Sequence, residues 1–144
     1  MLAAATLTLT VLAACGEDGN DVAGDVVAVD DGLGVIEVEM TEMAFTPDSI
    51  DVKAGETVRL RFHNSGLAVH EAVIGDLALQ EEHAEEMAGT AMDHGDSDES
   101  EPLVVAVGET GDLVYTAGAA GTLVIGCHQP GHWDAGMRAD LNIV

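Results

Sequence analysis

Hydrophobic and polar residues alternate along much of this 144-residue chain with the period of two that β-strands produce. The clearest case is residues 57–62, where Val58, Leu60 and Phe62 alternate with polar or charged positions. This alternation predicts a strand with one face in the core and the other in solvent. Seven further segments predict strands, and most are separated by glycine-containing turns. They are residues 35–40, 50–52, 67–74, 103–107, 113–117, 122–127 and 139–144.

One segment has helical character instead. Residues 77–88 are mostly good helix formers, Asp76 precedes them as a candidate N-cap, and Gly89 follows as a stop signal. An acidic stretch over residues 92–100 comes next. The pattern therefore predicts an all-β fold, an antiparallel Greek-key β-sandwich, with one helical, acidic insertion over about residues 75–101.

The N-terminal segment differs in composition from the rest of the chain. Residues 1–14 are largely apolar, too short to span a bilayer as a helix, and end in small residues before Cys15. This end resembles the lipobox of bacterial lipoproteins, although no Lys or Arg precedes the apolar run. The resemblance implies a signal peptide over residues 1–15, lipidation of Cys15 and an extracytoplasmic, membrane-anchored protein. An uncleaved first strand and an ordinary secretory signal remain the alternatives.

Acidic and glycine residues recur over residues 16–34, which predicts a flexible tether ahead of a folded domain spanning residues 35–144. The chain carries 27 acidic residues against 4 basic ones, a formal net charge of −23. Such a charge repels phosphate backbones and excludes a nucleic-acid partner. A protein partner with a basic docking surface would be attracted. We expect a monomer.

Candidate metal ligands cluster near the C-terminus. Cys127, His132 and Met137 follow one another at four-residue gaps, and His70 lies on a predicted strand. A thiolate and a thioether are soft donors and imidazole is borderline, so the set favours copper over metals that prefer oxygen. Zinc could use the Cys and His residues, but Met137 would be a poor fourth ligand. A nucleophilic Cys127 with a His base is the enzyme alternative, and nothing else in the sequence resembles a substrate site.

The pattern Asn64-x5-His70 with Cys127-x4-His132-x4-Met137 resembles the cupredoxins, or type 1 blue copper proteins, and its loop spacing is closest to rusticyanin and auracyanin. The resemblance implies a cupredoxin fold in which the two His, the Cys and the Met bind one copper ion. It places Asn64 near the cysteine sulfur. It implies one-electron transfer with redox protein partners, and no enzyme activity.

The resemblance also makes His132 the electron port, with Pro130, Trp133 and Ala135 as its apolar neighbours. His128, next to Cys127, is expected to point away from the metal and to be exposed.

The predicted insertion suggests a second role. His83 and Met87 would share a helix face, and Met92 and His94 follow shortly after, so these residues are candidates for an extra copper site. The alternative is a solvated helix with a disordered tail. An extra site would favour copper binding or handling, as in a copper-resistance protein, over electron transfer alone.

Overall fold

The fold is described from a computed structural model, which covers residues 32–89 and 102–144. The predicted signal segment 1–15 with Cys15, most of the tether 16–34, and Met92 and His94 of the predicted extra site lie outside the described residues.

The described residues form nine strands and one helix, numbered here in chain order. The strands are β1 Gly34–Thr41, β2 Ala44–Thr46, β3 Ser49–Val52, β4 Thr57–Asn64, β5 His70–Gly75, β6 Leu103–Val105, β7 Thr110–Thr116, β8 Gly121–Gly126 and β9 Arg138–Ile143. The helix is α1, Leu77–Met87.

The strands make two sheets, with orders β2-β1-β4-β7 and β3-β9-β8-β5-β6. The predicted β-sandwich is confirmed, but the prediction that it is wholly antiparallel is wrong. In the first sheet β1 runs parallel to β4, with Val35 opposite Arg59, and in the second β3 runs parallel to β9. The parallel pairing arises because the chain crosses from β2 to β3 in the other sheet and then returns beside β1 in β4.

The hydrophobic core lies between the two sheets. On β4 the alternate side chains Val58, Leu60 and Phe62 are buried, as the sequence predicts, and Leu60 and Phe62 are fully so. Ile125 and Leu141 face them from β8 and β9. Burying side chains of this size stabilises the fold by about 1.5–3 kcal/mol each. The core therefore gives the loops at the end of the sandwich a rigid support.

The predicted helix is present. Its N-cap is Asp76, whose Oδ1 accepts a hydrogen bond from the Leu79 N–H at 2.9 Å. Gln80 is the one buried residue of α1. Among the described residues, no helix has both the length and the apolar character that crossing a bilayer would require.

Several strand boundaries differ from the prediction, and one short strand was not predicted. β5 begins at His70, because Leu67 is 87% exposed and lies in the preceding loop. β6 ends at Val105, two residues before the predicted end. The short strand β2, which pairs with β1 through Phe45 and Met40, was missed because three residues are too few to show alternation.

Candidate metal centre

The four candidate ligands come from two parts of the chain that meet at one end of the sandwich. His70 is the first residue of β5, Cys127 directly follows β8, and Met137 directly precedes β9. β5 and β8 are antiparallel neighbours, with Val73 opposite Gly126. This pairing brings the start of β5 close to the end of β8. We call residues 127–137 the ligand loop.

Backbone hydrogen bonds fold the ligand loop into a compact turn. The His132 N–H donates to the Gln129 carbonyl at 2.9 Å, and the Met137 N–H donates to the His132 carbonyl at 3.0 Å. The Cys127 N–H closes the loop by donating to the Met137 carbonyl at 3.2 Å. Gly131 takes a φ of 82°, in the left-handed region that favours glycine. This turn at Pro130-Gly131 places Cys127 and His132 side by side.

Three donor atoms converge. His132 Nδ1 lies 3.3 Å from Cys127 Sγ and 3.2 Å from His70 Nδ1, and His70 Nδ1 lies 4.0 Å from Cys127 Sγ. Donors about 2.0–2.3 Å from one ion at trigonal angles would lie about 3.5–3.7 Å apart. The observed separations bracket that range. His70, Cys127 and His132 would therefore hold a single metal ion with two imidazoles and one thiolate, the donor set of a type 1 copper site.

Met137 completes the group. Its side chain is fully buried beside the other three residues, and its backbone is hydrogen-bonded to both Cys127 and His132. Met137 would supply the weak thioether ligand that type 1 copper sites use. A thioether is a poor ligand for zinc, so Met137 argues against a closed structural zinc site, which takes Cys, His or carboxylate ligands.

Burial controls the protonation of two of these side chains. Burial raises the pKa of the Cys127 thiol above its ordinary value, against the opposing effect of backbone N–H groups of Glu71 and Gln129 at the sulfur. Burial, and then the neighbouring His132, lowers the pKa of His70. His70 is thus neutral at pH 7 and ready to bind a metal. The thiol must lose its proton when a metal binds.

Asn64 is fully buried at the end of β4 and ties the loop before His70 to the sheet. Its Nδ2 donates to the carbonyls of Ala68 at 2.8 Å and Val105 at 2.9 Å. Its Oδ1 accepts from the Gly66 N–H at 3.0 Å. The side-chain hydrogen bonds of Asn64 are therefore with backbone groups around His70, and they fix the entry of the chain into β5.

Comparison with known proteins agrees with this geometry. A family model described as a cupredoxin-like domain matches residues 2–90, more than half of the chain. The chain belongs to the cupredoxin family. The match ends before the ligand loop, so the loop's role rests on the structure.

Two curated relatives and one solved structure resemble this cupredoxin. The copper-resistant cuproprotein CopI of Pseudomonas aeruginosa is 35% identical over 75% of this chain and 75% of its own length. Auracyanin-A of Chloroflexus aurantiacus is 33% identical over 92% of this chain and 89% of its own. The crystal structure of dithionite-reduced auracyanin from Roseiflexus castenholzii superposes with a TM-score of 0.66, covering 76% of this chain and 96% of that one, at 23% identity. That last likeness supports the fold.

Two of the four residues of the extra copper site predicted on the helix, His83 and Met87, lie among the described residues. The ring nitrogens of His83 lie 3.3 Å from Glu71 Oε1 and 3.5 Å from Glu86 Oε2. Met87 and Pro130 line an open cleft of about 270 Å³, which lies between the end of α1 and the ligand loop. With Met92 and His94 outside the described residues, this site stays a prediction.

The expectation that His128 is exposed is wrong, because its side chain is only 5% exposed. Its Nε2 lies 2.7 Å from Gln80 Oε1, and its ring stacks on Trp133. Two buried polar residues around it were missed in the sequence, Gln80 and Glu71. No local signal marks them, since both become buried through contacts made with residues more than 40 positions away.

Proposed function

We propose that this cupredoxin transfers single electrons through one copper ion held by His70, Cys127, His132 and Met137. The observation that carries the proposal is the convergence of the three buried donor atoms within 3.2–4.0 Å. Copper would supply the Cu(I)/Cu(II) couple. The protein supplies a rigid set of ligands that need little rearrangement when the charge on the metal changes.

The surroundings of the ligands suit this role. The backbone N–H of Glu71 donates to Cys127 Sγ at 3.5 Å, and such donors stabilise negative charge on the sulfur. His70, Cys127 and Met137 are fully buried, whereas His132 is 8% exposed. His132 is therefore the ligand nearest the surface, and we propose it as the point where electrons enter and leave.

The state of the cysteine argues against the enzyme alternative. Cys127 is fully buried, and burial raises the pKa of its thiol. A nucleophilic cysteine needs accessibility and a lowered pKa. We therefore propose a carrier and not a hydrolase or transferase.

The setting of the protein is part of the proposal. The net charge of −23 favours a redox protein partner with a basic docking surface. The lipobox-like segment that ends at Cys15 supports an extracytoplasmic location with a lipid anchor. Mass spectrometry of the protein from its native membrane tests the anchor: a lipidated Cys15 is expected, and an unmodified N-terminus at a distant residue would contradict it.

Copper binding for resistance is the second candidate, favoured by the 35% identity to a relative named as a copper-resistant cuproprotein. A protein that buffers copper would benefit from sites beyond the ligand loop, with His83 and Met87 as the described candidates. The two roles make different demands: a carrier needs one reversible copper, and a buffer gains capacity from each additional one.

The purified full chain distinguishes them. Electron transfer predicts one bound copper per chain and reversible voltammetry, with the same one-copper stoichiometry in the His83→Ala/Met87→Ala double variant. Copper handling predicts further equivalents that the double variant loses. Irreversible voltammetry of the copper-loaded wild type would contradict the electron-transfer proposal.

A further inference from the structure

The residue that follows each proposed copper ligand belongs to one connected cluster outside the site. These four residues, called the outer cluster, are Glu71, His128, Trp133 and Arg138. The His128 N–H donates to Glu71 Oε1 at 2.8 Å. The rings of His128 and Trp133 stack with centroids 4.6 Å apart and planes at 22°, and the Arg138 guanidinium lies 5.2 Å from the Trp133 ring centroid. Each proposed ligand is thus followed directly in the chain by a residue that contacts another member of the outer cluster.

Gln80 connects this cluster to α1 and to the sheet. Its Nε2 donates to the Val73 carbonyl on β5 at 3.0 Å and to the Val124 carbonyl on β8 at 2.9 Å. Both amide hydrogens are then used, so Oε1 must accept, and the His128 Nε2–H donates to it at 2.7 Å. The fully buried side chain of Gln80 therefore connects three parts of the site: β5, which begins at His70, β8, which ends before Cys127, and His128.

The fit around Gln80 is tight. Gly126 directly precedes Cys127, and a Cβ atom there would lie 2.3 Å from Gln80 Oε1 and 2.8 Å from the Trp133 ring. The absence of a side chain at residue 126 is what allows the amide and the indole to pack against the strand at this point. Interiors packed to this density transmit small displacements instead of absorbing them.

Glu71 provides a second connection to α1. Its side chain is 2% exposed, and its Oε1 also lies 3.3 Å from His83 Nε2 on the helix. Its Oε2 accepts from Gln129 Nε2 at 3.3 Å. The carboxyl group therefore holds residues 128 and 129 of the ligand loop, while the backbone N–H of the same residue reaches the sulfur of Cys127.

We infer that Gln80 and the outer cluster are positioning residues, which hold the ligand loop in its metal-binding arrangement before copper binds. α1 would then be a support for the copper site and not only a surface insertion. Fixed partners behind the ligands spare copper the cost of ordering the loop and so raise its affinity. This inference deepens the proposed function. Its copper measurements rest on the proposed copper site, whereas its thiol measurement does not.

Two pairs of variants test it in the full chain. Gln80→Leu keeps the volume but leaves two carbonyls and His128 Nε2 without their partner, and Glu82→Leu places the same side chain at an exposed position of α1 as its control. Trp133→Ala removes the stack on His128, and Trp133→Phe retains an aromatic ring there. The second pair decides the matter if Gln80→Leu does not fold, as judged by circular dichroism.

The first measurement uses copper-free protein in which Cys15, the other cysteine of the chain, is replaced by Ser in every variant. The rate at which the buried Cys127 thiol reacts with a disulfide reagent reports how often the loop opens. It should rise about 10- to 100-fold in Gln80→Leu and Trp133→Ala, the factor that one or two lost buried contacts give to local opening. Glu82→Leu and Trp133→Phe should stay close to wild type.

The second measurement is copper binding. Affinity should fall about 10- to 100-fold in the same two variants, with a shifted visible and EPR spectrum of Cu(II), and Trp133→Phe should largely restore both. The inference would be overturned if Gln80→Leu and Trp133→Ala kept a thiol reactivity and a copper affinity within twofold of wild type and an unchanged Cu(II) spectrum, with only their thermal stability lowered. If wild-type protein fails to cycle electrons reversibly, the proposed function fails, but the thiol measurement still decides the positioning role.

Discussion

Replacing Gly126 by Ala tests how closely α1 and the ligand loop pack behind the site. A Cβ at residue 126 would lie 2.3 Å from Gln80 Oε1 and 2.8 Å from the Trp133 ring, closer than non-bonded atoms approach. The backbone there is outside the left-handed region, so alanine brings no backbone strain and only the contact matters. Gln80 and Trp133 must therefore both shift, or the strand itself must move away from them.

The cost follows from two contributions. Inserting a methyl group into a packed interior costs about 1–3 kcal/mol. Displacing Gln80 weakens its buried hydrogen bonds, which adds about 1 kcal/mol. We expect Gly126→Ala to lower the free energy of unfolding of the copper-free protein by about 2–4 kcal/mol.

Gly121 offers a matched control on the same strand. A Cβ there meets no atom within 4 Å, so Gly121→Ala should be neutral or stabilising by up to about 1 kcal/mol. Urea unfolding followed by circular dichroism measures both variants, with the midpoint shifting and the slope unchanged. Equal stability of the two variants, within about 0.5 kcal/mol, would refute the packing described here.

Three further predictions concern the ligands and their supports. Asn64→Ala should destabilise the copper-free protein by about 1–3 kcal/mol in urea unfolding, because the buried carbonyls of Ala68 and Val105 lose their donor; an unchanged midpoint would contradict this. Met137→Leu should raise the reduction potential of the copper in a redox titration, because loss of the thioether destabilises Cu(II) more than Cu(I). An unchanged or lower potential would contradict this prediction. Burial raises the pKa of the Cys127 thiol, so the thiol is protonated at neutral pH and copper must displace that proton. Affinity should therefore increase by about tenfold per pH unit from pH 7 to 8, and a pH-independent affinity would show that the thiol does not bind the metal.

The ligand loop and the strands were predictable because their signals are local. Val58, Leu60 and Phe62 alternate over a few residues, and Cys127, His132 and Met137 lie within eleven positions of one another. The direction of neighbouring strands is not encoded in this way. Alternation is the same whether β4 runs parallel or antiparallel to β1, so the mixed sheets became visible only in the structure.

The supports of the site could not be read from the sequence for a related reason. Gln80 lies in a helix of mostly polar residues and looks like a solvated position, yet it is fully buried because β8 and the ligand loop approach it. The sequence predicts an exposed His128, because an extended strand would turn its side chain away from that of its neighbour Cys127. The stack on Trp133 and the contact with Gln80 bury it instead. Burial of a polar residue depends on partners far away in the chain.

Copper titration of the purified full chain, followed by visible and EPR spectroscopy, tests the central claim most directly. One equivalent of Cu(II) should produce an intense visible band from charge transfer between the Cys127 thiolate and copper, and Cys127→Ser should abolish this band. Ser65→Ala, at an exposed position, serves as a control and should leave the band unchanged. Absence of the band in wild-type protein, or its persistence in Cys127→Ser, would contradict a type 1 copper site at Cys127.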